Sequence, residues 1–421
     1  MAPTSIRARR EATAQTDIRD TLLAAARPLF ARGGTRGATA RAIAGAAGSP
    51  VSAITYHFGS KDALLAACAR RAQADAETWL AGETDRLSLV TPSADLLPDW
   101  YAALCGHRSI VQRDTTLIAA ETFLLSGRSP DFMAVARDWD RMHSAFFQAA
   151  LPRFGVDAGH APVFAELFSS LSMLTPSTED SVFSGAWTGV TARYLAECAL
   201  GRRNAAPDWR SYMETLAIRR HASRADAFEI PGSPVALRIV ESAVRILVRD
   251  GTAALTHRAI SEESGVALSA TTRLFSGRDA ILYAAFEHIR MRFEQEIGDK
   301  ASGIPEHSLG IEDFIASMVR PLSVDDNHIR PELLAMEELF LAARRDPALA
   351  PMASQLVASR GQTTMGFLRT LKTQRPAERI DAFIMSLCAF GGLNSLRVAA
   401  PQDRAGLAEH RMRCRLGVLF G

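Results

Sequence analysis

Residues 39–65 read TARAIAGAAGSPVSAITYHFGSKDALL and predict two short helices joined by a tight glycine turn. Thr39 suits the N-cap of the first helix, because its hydroxyl can accept from a backbone N–H that has no helical partner. Ser49 can cap the second helix with Pro50 at its first position, and Ser60 can cap the helix that follows. This arrangement is typical of a helix-turn-helix unit.

The same pattern recurs later in the chain at a constant offset and without a gap. Ile43 pairs with Ile260, and 260 − 43 = 217. The offset also relates Gly34 and Gly251, Gly48 and Gly265, Ser52 and Ser269, Phe58 and Phe275, Asp62 and Asp279, Glu121 and Glu338, and Phe123 and Phe340. A period of this length is that of a whole domain, since solenoid units run to about 20–50 residues. The sequence therefore predicts a duplicated and fused protein.

The bulk composition is that of a helical globular protein without obvious catalytic chemistry. The chain has 421 residues, of which 48% are hydrophobic, enough for a core in each copy. Long uncharged apolar runs are absent, so no membrane span is expected. Five scattered cysteines with no Cys-x-x-Cys pair favour neither a disulfide framework nor a zinc site, and they suit a reducing cytoplasm. No hydrolase, nucleotide-loop or zinc-protease motif occurs, so we expect no catalytic residue, metal or cofactor.

The two helix-turn-helix regions differ in charge. Residues 18–71 carry eight Lys or Arg and two acids, so 8 − 2 = +6. Residues 235–288 carry six Arg and six acids, so 6 − 6 = 0. A local basic patch is typical of a surface that binds a polyanion, although charge alone equally suits an ordinary solvated face.

The remainder of each copy carries apolar residues every three or four positions and predicts helices. A breaker, Pro231-Gly232-Ser233-Pro234, separates the copies. The predicted domains are a helix-turn-helix domain (1–71), a helical ligand-binding and dimerisation domain (72–221), a linker (222–234), a divergent second helix-turn-helix domain (235–288) and a second helical domain (289–421).

The stretch Gly48 to Leu65, with its Tyr-His-Phe, Ser-Lys, acid and Leu-Leu string, resembles the third and fourth helices of the tetracycline-repressor (TetR) family. Gly265 to Leu282 keeps the framework of that stretch but not its contact residues. The resemblance implies an all-α fold of two tandem protomers, each with an N-terminal three-helix unit that reads the major groove. It also implies a ligand pocket and a dimer interface, usually a four-helix bundle from the last two helices. Family members bind palindromic operators as dimers and leave DNA when a ligand binds, whereas this chain carries both protomers itself.

The candidate DNA contacts of the first copy are Thr39, Arg41, Ser52, Thr55, Tyr56, His57 and Lys61. Ser and Thr can reach base edges or phosphates, Tyr reaches phosphate through its hydroxyl, and Lys61 offers a point charge to phosphate. Thr39 is equally interpretable as a cap alone, and His57 as a side chain packed under the turn. The corresponding candidates in the second copy are Thr256, Arg258, Ser269, Thr272, Arg273 and Arg278.

Aromatic residues of the first copy are candidates for an effector pocket. They are Trp100, Phe123, Trp139, His143 and Phe147. Concave apolar pockets with few polar groups are the usual ligand sites of such domains, so we expect a small, largely apolar effector. The alternative for each residue is ordinary core packing, and a histidine on an apolar face is more often a satisfied core residue.

Two functions fit the sequence. The leading hypothesis is a cytoplasmic, ligand-responsive transcriptional regulator, a repressor, whose copies pair within one chain as a monomeric pseudo-dimer on an asymmetric double-stranded DNA operator. The alternative is a sensor or interaction protein in which the second copy is only a structural partner and does not read DNA. The neutral charge of the second helix-turn-helix region separates the two.

Overall fold

The chain is all-α, as the sequence predicts. The computed structural model describes residues 4–127, 129–174, 181–202, 232–322, 324–325, 328–346 and 349–421. We call residues 4–202 the first half and residues 232–421 the second half. The predicted linker is 222–234, and its residues 222–231 lie outside the described residues. None of the described helices combines the length and the hydropathy that crossing a membrane requires.

The helices follow one another with short connections. Those of the first half are α1 (Thr4–Gly37), α2 (Ala40–Ala46), α3 (Val51–Phe58), α4 (Lys61–Ser88), α5 (Leu97–Ile110), α6 (Arg113–Ser126), α7 (Pro130–Ala150), α8 (Ala161–Leu174) and α9 (Ser181–Ala199). Those of the second half are α10 (Pro234–Asp250), α11 (His257–Ser264), α12 (Leu268–Leu274), α13 (Arg278–Ser302), α14 (Ile311–Leu322), α15 (Pro331–Arg345), α16 (Ala350–Ser359), α17 (Gln362–Leu368), α18 (Arg379–Val398) and α19 (Arg404–Phe420). A two-stranded antiparallel ribbon, β1 (Val324–Asp325) and β2 (His328–Ile329), follows α14.

The described contacts divide the chain into two compact units. One comprises residues 1–82 and 112–139, and the other comprises residues 83–111 and 140–421. The helices α4 and α13 run through positions 71 and 288, where the sequence predicts domain boundaries, because neither helix contains a glycine or proline breaker there.

The first unit has a core built from the predicted helical spacing. Leu22, Ala26 and Phe30 lie one turn apart on α1 and are fully buried. Phe30 meets Phe132 of α7, with ring centres 6.3 Å apart. Gly34 interrupts α1, because that residue takes φ 59° inside the helix. A positive φ is accessible to glycine at little cost.

In the second unit, helices of the two halves form one bundle. The pair α8 and α9 packs against α18 and α19, and α8 contacts α18 most extensively. A Cβ on Gly391 of α18 would lie 1.9 Å from the carbonyl oxygen of Glu166 on α8. The backbones of α8 and α18 therefore approach so closely that this position accepts only glycine.

One contact of the bundle joins residues that are separated by the sequence offset itself. The hydroxyl of Ser170 on α8 donates to the carbonyl oxygen of Leu387 on α18 at 2.5 Å, and 387 − 170 = 217. The contact between α8 and α18 therefore includes a pair of positions at this offset.

A buried ion pair adds an asymmetric feature to the same bundle. The carboxylate of Glu166 accepts from Nε and Nη2 of Arg415 on α19 at 2.8 and 2.9 Å. Both side chains are at most 5% exposed. Nearby, the hydroxyl of Tyr194 on α9 lies 3.0 Å from the carboxylate of Asp381 on α18, which also binds Arg375. These polar contacts connect the two halves inside an otherwise apolar interface.

Candidate DNA-binding site

The helix α3 presents its predicted contact residues to solvent. Ser52 and Thr55 are exposed, and Tyr56 is 76% exposed. Ile54, on the opposite face, is 2% exposed and holds α3 against the rest of the unit. Because most of the Tyr56 side chain meets solvent, its hydroxyl can reach a phosphate or a base edge.

Capping hydroxyls position the short helices as the sequence predicts, with one exception. Thr39 accepts from the N–H of Ala42 at 3.1 Å, and Ser60 accepts from the N–H of Ala63 at 3.0 Å. Thr256 makes the equivalent bond to Ala259 in the second half, also at 3.1 Å.

The predicted cap at Ser49 is wrong. Pro50 occupies the N-cap position of α3, and the hydroxyl of Ser49 points back to the carbonyl oxygen of Ala47 at 3.4 Å. A proline at the N-cap leaves its neighbour outside the helix, so the serine oxygen is no longer beside the free N–H groups of the first turn.

We call the helix-turn-helix region of each half, residues 18–71 and 235–288, its head. Lys61 and Arg278 each bind the connection between the first two helices of their head. Lys61 Nζ donates to the carbonyl oxygen of Thr35 at 3.0 Å. Arg278 Nη2 donates to the carbonyl oxygen of Thr252 at 2.9 Å, and both residues are offset by 217 from the first pair. Each side chain therefore has a structural role in addition to the predicted phosphate contact. An ammonium has three donors, so Lys61 retains hydrogens for a second acceptor.

The carboxylate of Glu121 on α6 meets the same connection in the first half. It accepts from the backbone N–H of Thr35 at 3.2 Å. In the second half, a Cβ on Gly251 would lie 3.1 Å from both carboxylate oxygens of Glu338. Gly251 also has φ 80°, so steric space and backbone conformation both favour glycine there. In each half, a glutamate of the sixth helix thus lies against the connection that follows the first helix.

His57 lies at the end of α3 between the surface and the interior. Its carbonyl oxygen accepts from Arg19, whose guanidinium carbon also lies 4.4 Å above the ring of Phe58. The His57 ring meets Tyr56 edge-on with centres 4.9 Å apart, and its Nδ1 is buried. This half-buried position suits packing under the turn, while contact of its other ring atoms with DNA stays a prediction.

The arginines at equivalent positions in the two heads differ in their partners. Arg258 Nε lies 3.0 Å from Glu262 one helical turn away. Glu263 binds both Arg245 and Arg249, at 3.0 and 3.1 Å. The first half has Gly45 and Ala46 where the second has these two acids, and Arg41 pairs with none of the described carboxylates.

The helix α12 of the second half is exposed, and one of its hydroxyl groups makes its hydrogen bonds within the helix. Ser269, Thr272 and Arg273 all lie on the solvent face of α12. The hydroxyl of Thr272 donates to the carbonyl oxygens of Leu268 and Ser269 at 3.1 and 3.2 Å. Arg273 is thus the side chain of α12 with the longest reach towards a base or phosphate.

Four of the five predicted effector residues of the first half are buried in its apolar interior, and Trp100 is half-buried. Trp139 and Phe147 are fully buried, and Phe123 is 4% exposed. Trp100 lies 5.1 Å from the ring of Phe154, and Tyr101 lies 5.8 Å from Phe147, measured between ring centres. These rings already fill one another's space, so a ligand there would have to displace them.

His143 packs in the same interior against an aromatic ring. Its imidazole meets Phe168 edge-on at 5.3 Å. Burial, together with the nearby Arg108, lowers the pKa of His143 to about 3. The imidazole is therefore neutral at physiological pH. Within the described ranges, no group of three His, Cys, Asp or Glu side chains is placed to hold a metal ion.

Two family descriptions match the chain, one in each half. Residues 22–68 match the N-terminal domain of the family described as bacterial regulatory proteins, tetR family. Residues 309–412 match the description tetracyclin repressor-like, C-terminal domain. No curated protein matches the chain at a significant level. The matched stretches run from within α1 to within α4 in the first half and from α14 to within α19 in the second, so an N-terminal and a C-terminal TetR-family domain lie towards opposite ends of the sequence.

Proposed function

We propose that this chain, which carries an N-terminal and a C-terminal TetR-family domain, is a ligand-responsive transcriptional repressor built from two tandem copies. The TetR-family domains support a DNA-binding transcriptional regulator. The copies pair within one polypeptide and place one strong and one weak reading head on an asymmetric double-stranded DNA operator. The repressor acts in the cytoplasm as a single chain.

The observation that carries the pairing is the contact between Ser170 and Leu387. A hydrogen bond between positions offset by 217 is expected when two equivalent helices cross on a two-fold axis. The equivalent anchors of Lys61 and Arg278 support the same interpretation, because a shared side-chain contact is the product of a shared fold. A partner tethered to the same chain sits at high effective concentration, so pairing within the chain outcompetes pairing between chains.

Selection from a random-sequence DNA pool with the purified full chain tests the proposed operator. Two heads that read successive major grooves on one face of DNA lie about 34–36 Å apart. We expect a motif with one strongly specified half-site and, one helical turn away, one loosely specified half-site. A palindromic motif with equal information in both half-sites would contradict the proposal.

A second candidate function keeps the second half only as a structural partner. The ion pairs of Glu262 and Glu263 favour it, because they neutralise arginines that DNA would otherwise attract. Under the leading proposal, these ion pairs lower the DNA affinity of the second head without abolishing it.

Replacing Glu262 and Glu263 with alanine separates the two candidates. The change frees Arg258, Arg245 and Arg249 for phosphate and gives the second head the small side chains of the first. If that head meets DNA, gel shifts should show tighter binding and a steeper salt dependence, by roughly 2 in the slope of log K against log salt. A control variant, Glu312→Ala, removes an exposed carboxylate elsewhere and should leave both quantities unchanged. Unchanged binding by the double variant would support the structural-partner function.

The proposed effector is small and largely apolar, and Trp100, Phe123, Trp139, His143 and Phe147 remain its proposed site in the first half. Binding would shift the population of states that hold the heads at the spacing of the operator. All five tryptophans lie at or before position 209. A change in tryptophan fluorescence with the effector that releases DNA supports this site, and no change places the effector elsewhere.

A further inference from the structure

A small cavity lies within the second half, between α13, α15, α16, α17 and α18. Its volume is about 110 Å³. Its apolar side chains are Ile289, Phe293, Leu333, Met336 and Leu356. An engineered apolar cavity of about 150 Å³ binds benzene, so this cavity fits an occupant of roughly six non-hydrogen atoms.

One arginine of the cavity wall has an unused hydrogen-bond donor. Arg360, at the end of α16, lines the cavity, and its buried Nε has no hydrogen-bond partner among the described residues. Its guanidinium carbon lies 4.3 Å from the ring centre of Phe390 and 5.1 Å from that of Phe340. Two aromatic rings thus hold a planar cation in place without accepting a hydrogen bond from its Nε–H.

The charges around Arg360 leave an excess of positive charge. Glu337 is the carboxylate that attracts Arg360, and it already accepts from the buried Arg397. Burial raises the pKa of Glu337 to about 7 and lowers the pKa of Arg360 to about 10. At neutral pH Arg360 therefore stays protonated, while a single, partly protonated carboxylate serves two arginines.

The carboxylates of the cavity wall itself are engaged by other cations. Glu294 lies 2.5 Å from Nη1 of Arg290, which also binds Glu287. Glu332 lies 3.5 Å from Nε of Arg330. Both carboxylates of the wall therefore pair with arginines other than Arg360.

The first half differs at the equivalent position. Since 360 − 217 = 143, His143 is the counterpart of Arg360. The neutral imidazole of His143 meets a ring edge, whereas Arg360 places a fixed cation on two ring faces. The exchange places a cationic side chain at this position of the second half, where the first half has a neutral imidazole.

We propose that the cavity of the second half binds a short aliphatic monocarboxylic acid. The carboxylate meets the guanidinium of Arg360, and the hydrocarbon tail lies against Leu333, Met336 and Leu356. A carboxylate fits the planar fork of an arginine, and the apolar wall excludes a larger or multiply charged anion such as a phosphate ester. A role of this acid as a second effector, beside the one proposed for the first half, rests on the proposed function, whereas its binding to the cavity does not.

Calorimetric titration of the full chain with sodium butyrate tests the proposal, with butyramide as the neutral probe of equal size. We expect butyrate to bind with a dissociation constant of about 1 mM and butyramide to bind at least tenfold more weakly, because a hydrogen-bonded charge contributes about 1.5–3 kcal/mol. The variant Arg360→His, which imports the residue of the first half, should lose at least tenfold in butyrate affinity. Arg360→Lys should retain part of it, and the exposed Arg379→His on α18 should retain all of it.

Three results would overturn the proposal. They are the absence of butyrate heat with the wild-type chain, equal affinity for butyramide, and unchanged butyrate affinity in Arg360→His. The wild-type comparison of acid and amide holds even if a variant fails to fold. Gel shifts in the presence of butyrate then distinguish the two levels: binding without release of DNA contradicts only the effector role, and a chain that binds butyrate but no DNA contradicts the proposed function.

Discussion

Replacing Glu166 with alanine should lower the free energy of unfolding by about 3–5 kcal/mol, because it leaves Arg415 charged and buried without its partner. Urea unfolding followed by circular dichroism measures the change. The matched control is Glu312→Ala, which breaks the exposed pair with Arg413 and should leave the free energy of unfolding nearly unchanged.

A double variant separates the ion pair from general packing at this place. With Glu166→Met and Arg415→Met together, neither charge of this pair is left, while the buried Arg411, 3.8 Å from Glu166, still loses a carboxylate, so part of the lost stability should return. Equal losses in the Glu166 and Glu312 single variants, or no recovery in the double variant, would show that the pair does not hold the bundle together.

The second large effect concerns the first reading head. Replacing Tyr56 and Lys61 with alanine should weaken DNA binding roughly 100-fold, because it removes the exposed Tyr56 and the half-buried cation of Lys61 from the head with charge +6. Replacing Arg273 and Arg278 with alanine should weaken binding less and lower the salt slope by at most about 2. Gel shifts across a salt series measure both.

The structure requires a control for this experiment, since Lys61 also anchors Thr35. The variant Lys61→Arg carries the residue of the second half and should keep both the anchor and the charge. Its melting temperature and DNA affinity should stay close to those of the wild type. Equal losses from the Tyr56 and Arg273 pairs would contradict the ranking of the heads, and no loss from the Arg273 pair would favour a second half that does not read DNA.

Local patterns in the sequence predict the heads well. The caps at Thr39 and Ser60 are confirmed, because capping depends only on residues within one turn of the helix end, and Thr256 makes the same bond in the second half. The cap at Ser49 was the exception, since a neighbouring proline competes for the same position. The all-α fold is confirmed for the same reason as the caps, since helical periodicity is a local signal.

Contacts between distant elements could not be predicted from the same patterns. Lys61 suggests a phosphate ligand, but its bond to Thr35 depends on where the chain returns after α1. The ion pair of Glu166 and Arg415 could not be predicted for a further reason. Their counterparts at the offset of 217 are Phe383 and Cys198, so the repeat itself gives no sign of an ion pair.

The lack of charged counterparts for Glu166 and Arg415 also affects which halves can pair. If two first halves met in the geometry of α8 on α18 and α19, Glu166 would face Cys198 and lack a cation. A buried carboxylate without a partner costs several kcal/mol, so unlike halves are the favoured pair. A chain that contains both unlike halves satisfies this preference without a second chain.

The mass of the protein bound to its selected DNA site, measured by light scattering, tests the central claim most directly. The account predicts one chain of 45.6 kDa in solution and one chain per DNA site, because both halves of the bundle come from one polypeptide. Two chains on each site, together with a free protein of twice that mass and no smaller species, would contradict it.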